Sequence, residues 1–389
     1  MKLFVHEDKL RDLNASAPLL EKVELLRQLL VSRRLPIDRI AVATYDPDGD
    51  RLHTFVASND GDNPLVRYES RLADAPSLVE VRERRKPRVV NDLTLFAEGV
   101  HTHTRRISGE GFRASYTVPV FAGERFVGFV FFNSRTPAVF DDALLDELDV
   151  VAHLVGSLVA HDMLAVRMLS GALKTASDFV HSHDPETWAH LQRMARYSRL
   201  ISEQLADSGK YRMTDEEIER LFWYAPMHDI GKLGVPDEVL FKPARLSPEE
   251  RLVMRQHSEI GGELIERLID NFELGEMQGI ERLRDVALMH HEALDGSGYP
   301  RGLTAGEIPM AARIIAVADI FDALTSPRSY KEPWTTDAAI AELRSMATSK
   351  LDPDCVDALV ARLGDVERVR REFAEGDQLI QAPQGRIST

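Results

Sequence analysis

Five short stretches in the second half of this 389-residue sequence carry side chains able to bind metal ions. They are "PETWAH" with Glu186 and His190, "HD" at 228–229, "RQHSEIGG" with His257, "MHHEALDGSGYP" with His290 and His291, and "AVADIFDALT" with Asp319. A lone histidine on an apolar helix is usually a hydrogen-bonded core residue, and His-Asp is a common chance dipeptide. The set as a whole points elsewhere. Glu186 and His190 are four apart, so a helix places both on one face. Asp319 follows the apolar run "ARIIAVA", where a lone carboxylate would be costly to bury and a cation would remove the cost. A metal site built from all five stretches is expected. The single cysteine, Cys355, rules out an intrachain disulfide and any multi-thiolate site, so the donors must be imidazole and carboxylate. Asp229 is the natural bridge in such a site, because a carboxylate can span two cations and an imidazole cannot. Each ligating histidine should be neutral, with its second nitrogen held by an outer acceptor.

The elements that must position these groups are helices. Beyond residue 180 Gly and Pro are sparse inside the periodic segments, and no strand-like alternation is evident. The spacing predicts helices over about 186–208, 215–229, 248–270, 281–292, 309–325, 336–346 and 353–362, an all-α half in which His228 and Asp229 end a helix that Pro226 kinks. The first half reads differently. Residues 40–58 alternate around Asp48-Gly49 and residues 114–133 around Ala122-Gly123, two hairpin signals flanked by helical patterns at 17–33 and 76–84, which makes an α+β domain with an antiparallel sheet. Between the halves, 141–180 reads as one long connecting helix. Leu144, Leu148, Val151, Val155 and Leu158 follow the spacing of a helix-pair seam, and a parallel homodimer through this helix is expected. The divisions are 1–160 for the first domain, ending in the connecting helix, and 175–389 for the second.

Length alone favours two domains, and 44% hydrophobic with 29% charged residues is the composition of a globular chain. No apolar run approaches the roughly 20 residues of a membrane span. The opening "MKLFVHEDKLRDLN" lacks the pattern of a secretion signal, so a cytoplasmic protein without membrane contact is expected. The net charge of −15 argues against a nucleic-acid polymer as partner, while a small phosphate substrate would need only a few local cations.

Two resemblances sharpen these readings. The stretch "SYTVPVFAGERFVGFVFFNS" and the element order over about 15–160 resemble a GAF domain, a sensory fold that often dimerises or binds a small ligand. No particular ligand is implied, and His101 and His103 in "HTHTRR" read as a polar surface loop. The stretches "HDIGK", "HHEALDGSGYP" and "ADIFDALTSPRSYK", over about 175–365, resemble an HD-GYP domain of the HD superfamily of metal-dependent phosphohydrolases. That resemblance implies hydrolysis of cyclic di-GMP, a bacterial second messenger, to pGpG and on to GMP. It assigns metal ligation to His228, Asp229, His257, His290, His291 and Asp319. Glu186 and His190 match the further ligands of members with a third metal, so two or three divalent ions are implied, iron first and manganese next. Lys232, three residues after Asp229, is assigned to a phosphate oxygen or the leaving oxygen. Arg328 and Lys331 in "SPRSYK" match substrate-phosphate contacts, and Tyr299 either packs near guanine or orders its loop. Two alternatives stay open: a hydrolase of another cyclic dinucleotide, and a signalling adaptor or sensor that binds a dinucleotide or a protein without turnover.

Overall fold

The computed structural model describes residues 8–60, 66–96, 107, 109–180, 188–327 and 332–374, with side chains omitted at 96, 170 and 172–180. It divides into two compact units, Met1–Ala165 and Val166–Thr389.

The first unit is built on one six-stranded antiparallel sheet. Strands β1 (Arg39–Asp46), β2 (Arg51–Asn59), β3 (Glu69–Arg71), β4 (Arg88–Val90), β5 (Ala114–Ala122) and β6 (Arg125–Ser134) lie in the order β3-β2-β1-β6-β5-β4. Both expected hairpins are present, pairing β1 with β2 and β5 with β6. Helices α1 (Leu19–Ser32), α2 (Pro76–Arg84) and α3 (Asp142–Val180) flank the sheet. Ile40, Phe132 and Tyr116 share one register row and hence one face. The Tyr116 hydroxyl meets Asp149 of α3, and Ser58, paired with Ile40, accepts from Arg27 of α1 at 2.8 Å. Helices α1 and α3 therefore cover this face. The opposite face carries Arg39, Asn133 and Ser115, also one register row.

Helix α3 matches the expected connecting helix, but its seam has another partner. Leu144, Leu148, Val151 and Val155 are buried within the chain itself, because the GAF-like sheet uses the stripe as core. The periodicity therefore gives no argument for a second helix; the outward face carries Val150, Leu164 and Met168, all exposed.

The described part of the second unit is helical: α4 (Trp188–Asp207), α5 (Asp215–Tyr224), α6 (Asp237–Leu240), α7 (Pro248–Arg255), α8 (His257–Asn271), α9 (Glu281–Met289), α10 (Met310–Thr325), α11 (Thr336–Met346), α12 (Pro353–Ala361) and α13 (Leu363–Glu372). Side-chain caps start several of them. Thr214 with Glu217 and Ser247 with Glu250 form capping boxes, and Asp352 accepts from the backbone N–H groups of Asp354 and Cys355. Helix α10 is nearly all apolar and is the centre of the core, with Ile314, Ile315, Val317, Ala318 and Phe321 fully buried against α4 and the last three helices.

Two expectations about helix limits fail here. The predicted helix 215–229 ends at Tyr224 and continues as a 3-10 turn over Ala225–Met227, because Pro226 has no N–H for the α ladder and its ring crowds the preceding turn. The predicted helix 248–270 is broken at Gln256, with no Gly or Pro at the break, so that His257 begins a new helix.

Candidate metal centre

The candidate ligands come from five places in the second unit, and tertiary packing gathers them. His190 stands on α4, His228 and Asp229 between the turns Ala225–Met227 and Ile230–Gly234, His257 at the start of α8, His290 and His291 just after α9, and Asp319 on α10. Asp229, His257, His290 and His291 form one group whose donor atoms all lie within 4.8 Å of one another; His190, His228 and Asp319 form a second within the same limit. Glu186, Arg328 and Lys331 lie outside the described residues.

One glycine makes the approach feasible. A Cβ on Gly231 would stand 1.8 Å from the His257 carbonyl oxygen and 2.4 Å from the Gly261 nitrogen, so only a bare Cα lets the turn after Asp229 lie on the start of α8. Gly231→Ala is expected to cost at least the roughly 1–3 kcal/mol of an overpacked core and to lower bound metal. Melting temperature and metal content check this; wild-type values for both would show that the two backbones can part freely.

The hydrogen bonds decide the protonation of the site. His228, His257 and His290 each place Nδ1 on a backbone carbonyl: Ala225 at 2.9 Å, Met254 at 2.8 Å and Val286 at 2.9 Å. A carbonyl only accepts, so Nδ1 carries the proton and Nε2 presents a lone pair. These Nε2 atoms converge on one carboxylate. His257 and His290 lie 3.0 and 3.4 Å from Asp229 Oδ1, and His228 lies 3.4 Å from Asp229 Oδ2. His257 and His290 bring their Nε2 atoms within 3.5 Å of each other. Ser258, 3.3 Å from His257 Nε2, has one hydroxyl proton to give. Charging the imidazoles is opposed by burial, which pushes His290 down and His291 well down. Lone pairs facing one another in a buried site repel. A divalent cation between them turns that repulsion into ligation, and the donor set of imidazole and carboxylate fits such an ion.

Burial by itself would raise the Asp229 carboxyl, but the Lys232 ammonium beside it holds it well below the usual carboxylate range. Lys232 Nζ donates to Asp229 Oδ2 at 2.6 Å. The 3-10 turn over Ile230–Gly234 brings Lys232 back onto the carboxylate.

Four residues missed in the sequence support the centre. Asp322 accepts from Arg193 at 2.5 and 2.8 Å and lies 2.8 Å from His190 Nδ1, which turns the other ring nitrogen of His190 toward its group. Burial would raise Asp322, but its bonds to Arg193 and His190 hold it down to about 2. Its signal in the sequence was a second acid three residues after Asp319 on an apolar helix. Glu292 accepts from the backbone N–H groups of Arg301 and Leu303 at 2.7 and 2.8 Å, fastening the "DGSGYP" loop. Within that loop the Tyr299 ring lies 4.7 Å from the His291 ring and its N–H donates to the His291 carbonyl. Arg255 covers the same tyrosine at 4.9 Å from the ring centre.

Known proteins divide this chain in the same order. A family model described as a GAF domain matches residues 23–159, and one described as an HD domain matches 174–355. The chain joins a GAF domain to an HD domain. A "Cyclic di-GMP phosphodiesterase response regulator RpfG" from Xanthomonas campestris is 42% identical over 196 residues, covering 50% of this chain and 48% of that protein. A "Probable cyclic di-GMP phosphodiesterase" from Vibrio cholerae is 36% identical over 211 residues, covering 54% and 48%. A "3'3'-cGAMP-specific phosphodiesterase 2", also from Vibrio cholerae, is 35% identical over 196 residues, covering 50% and 35%. The matches thus span about half or less of each relative's length. The sheet with its helices lies in the region matched by the GAF model and the candidate metal centre in the region matched by the HD model; among the described residues no helix is long and apolar enough to cross a membrane.

Proposed function

We propose that this chain is a metal-dependent phosphodiesterase that hydrolyses cyclic di-GMP to pGpG and/or GMP, under control of its GAF domain. The observation that carries this reading is the pair of donor groups meeting at Asp229, whose two oxygens face different histidines. The relatives named as cyclic di-GMP phosphodiesterases support the choice of substrate. Two or three divalent ions, iron before manganese, are held by His190, His228, Asp229, His257, His290, His291 and Asp319, with Glu186 as a further ligand. Bound there, such ions acidify water and neutralise phosphate charge for in-line displacement.

The chain's own residues do the rest. Neutral imidazoles, set by their backbone carbonyl partners, keep their lone pairs inward. Lys232, held beside Asp229, serves a phosphate oxygen or the leaving 3′ oxygen. Arg328 and Lys331 grip the phosphates, and Tyr299 holds His291 and its loop in place. The GAF domain acts on this centre through α3, the one helix that runs from the first unit into the second. The chain works in the cytoplasm as a homodimer through the outward face of α3.

A second substrate is favoured by the relatives named as 3'3'-cGAMP-specific phosphodiesterases, which are 30–37% identical. The deciding experiment is anaerobic purification, metal content per chain, molar mass by light scattering, and product analysis with cyclic di-GMP and 3',3'-cGAMP in parallel. Metal-dependent release of pGpG or GMP supports the reading. A metallated protein that binds cyclic di-GMP and makes no product would instead make this chain a sensor.

A further inference from the structure

The GAF domain contains a cavity of about 70 Å³ whose polar lining is unusual for a chain of net charge −15. Two arginines line it, Arg39 and Arg88, and none of its described lining residues is a carboxylate. We infer that this cavity binds a small organic anion, with a carboxylate or phosphate-monoester head held by Arg39 and Arg88 and an apolar body against the remaining wall.

The strand register explains how the head would be held. Arg39, Asn133 and Ser115 are direct partners across β1, β6 and β5, so they form one row on the face that α1 and α3 leave uncovered. Arg88 on β4 pairs with Thr117 two residues along β5, which puts it on the same face in the next row. The row is wired in one direction. Arg39 Nη1 donates to Asn133 Oδ1 at 2.9 Å, and Asn133 Nδ2 donates to Ser115 Oγ at 3.1 Å. Ser115 accepts in that chain and so retains its hydroxyl proton to give. Arg39 is 1% exposed, and burial draws it down to about 10, still charged at neutral pH. Arg88 supplies an independent sign of a missing acceptor. Its Nε is buried and has no hydrogen-bond partner, a costly state for a cation unless a ligand completes it. Leu52, Leu93, Ile107 and Phe131 form the apolar part of the wall and suit a hydrocarbon or aromatic body.

The inference stands apart from the hydrolase reading and is tested on the full chain stripped of metal, so that anions do not collect at the metal centre. Benzoate, phenyl phosphate and the neutral control benzamide are titrated calorimetrically, and melting temperatures are followed alongside. At least one of the two anions is expected to bind roughly tenfold or more tighter than benzamide, and the tighter one identifies the head group. Arg88→Met should weaken that binding by about tenfold or more while keeping the side chain's bulk. Should Arg88→Met fail to fold, Arg88→Lys replaces it, retaining the charge but losing the paired donors, and is expected to weaken binding measurably. Equal binding of benzamide, unchanged anion binding in the Arg88 variant, or no binding by any of the three would each overturn the assignment.

Discussion

Alanine at Asp229 is expected to purify with roughly one metal ion fewer per chain and to lose about 10³-fold or more of its cyclic di-GMP hydrolysis. The two carboxylate oxygens face different groups: Oδ1, buried without a hydrogen-bond partner, lies beside His257 and His290, and Oδ2 faces His228 and Lys232. Removing them takes the anionic charge out of the first donor group and leaves imidazole alone. The melting temperature supplies a readout independent of turnover. An ion that binds the folded state stabilises it in proportion to the logarithm of its concentration over Kd, so metal should raise the melting temperature of the wild type and much less that of the variant. In chelator the two should melt close together, because the variant loses the lone-pair repulsion along with the Lys232 ion pair, and Lys232 is exposed enough to reach water. An Asp229→Ala protein with full metal content and turnover would sink the metal assignment.

The second large effect is at Asp322, which touches no candidate ion. Its two oxygens take three contacts, from Arg193 Nε, Arg193 Nη2 and His190 Nδ1. Arg193 is 3% exposed and also donates to the Phe373 carbonyl and the Ser326 hydroxyl. Asp322→Ala removes the carboxylate that takes two of the buried guanidinium's donors, a change expected to cost about 3–5 kcal/mol of stability. It also frees the His190 ring, with an expected drop of about 10–100-fold in affinity at the second donor group. Asp322→Asn keeps one acceptor and should fall between the variant and the wild type. Chemical denaturation and metal titration check both; a stability loss below about 1 kcal/mol would show that Arg193 finds another partner.

The contrast between Asp319 and Asp322 shows where sequence reading stops. Both acids stand on one apolar helix, three residues apart, and either could have been the ligand by residue type. Only the packing of α4 against α10 sets Arg193 beside Asp322 and leaves Asp319 with His190 and His228. Likewise, "HSEIGG" reads as the middle of a helix, yet a break at Gln256 with no Gly or Pro makes His257 a first residue. The seam on α3 was a correct period with the wrong partner, because a stripe records that a face is buried and says nothing of what buries it.

What the sequence by itself determined was local and chemical. Donor types without thiolate restrict the ions, alternation around two turns sets the hairpins, and Pro226 marks a disturbed helix just ahead of the His-Asp pair. These follow from side-chain chemistry and backbone sterics within a few residues, which the order of amino acids states directly. Only the tertiary structure decided that residues from 190 to 319 gather into two donor groups, that three histidines turn their lone pairs inward, and that Arg39 and Arg88 line one cavity. Those outcomes depend on distances between segments far apart in the chain, set by how apolar faces pack, and any one segment is compatible with many such packings.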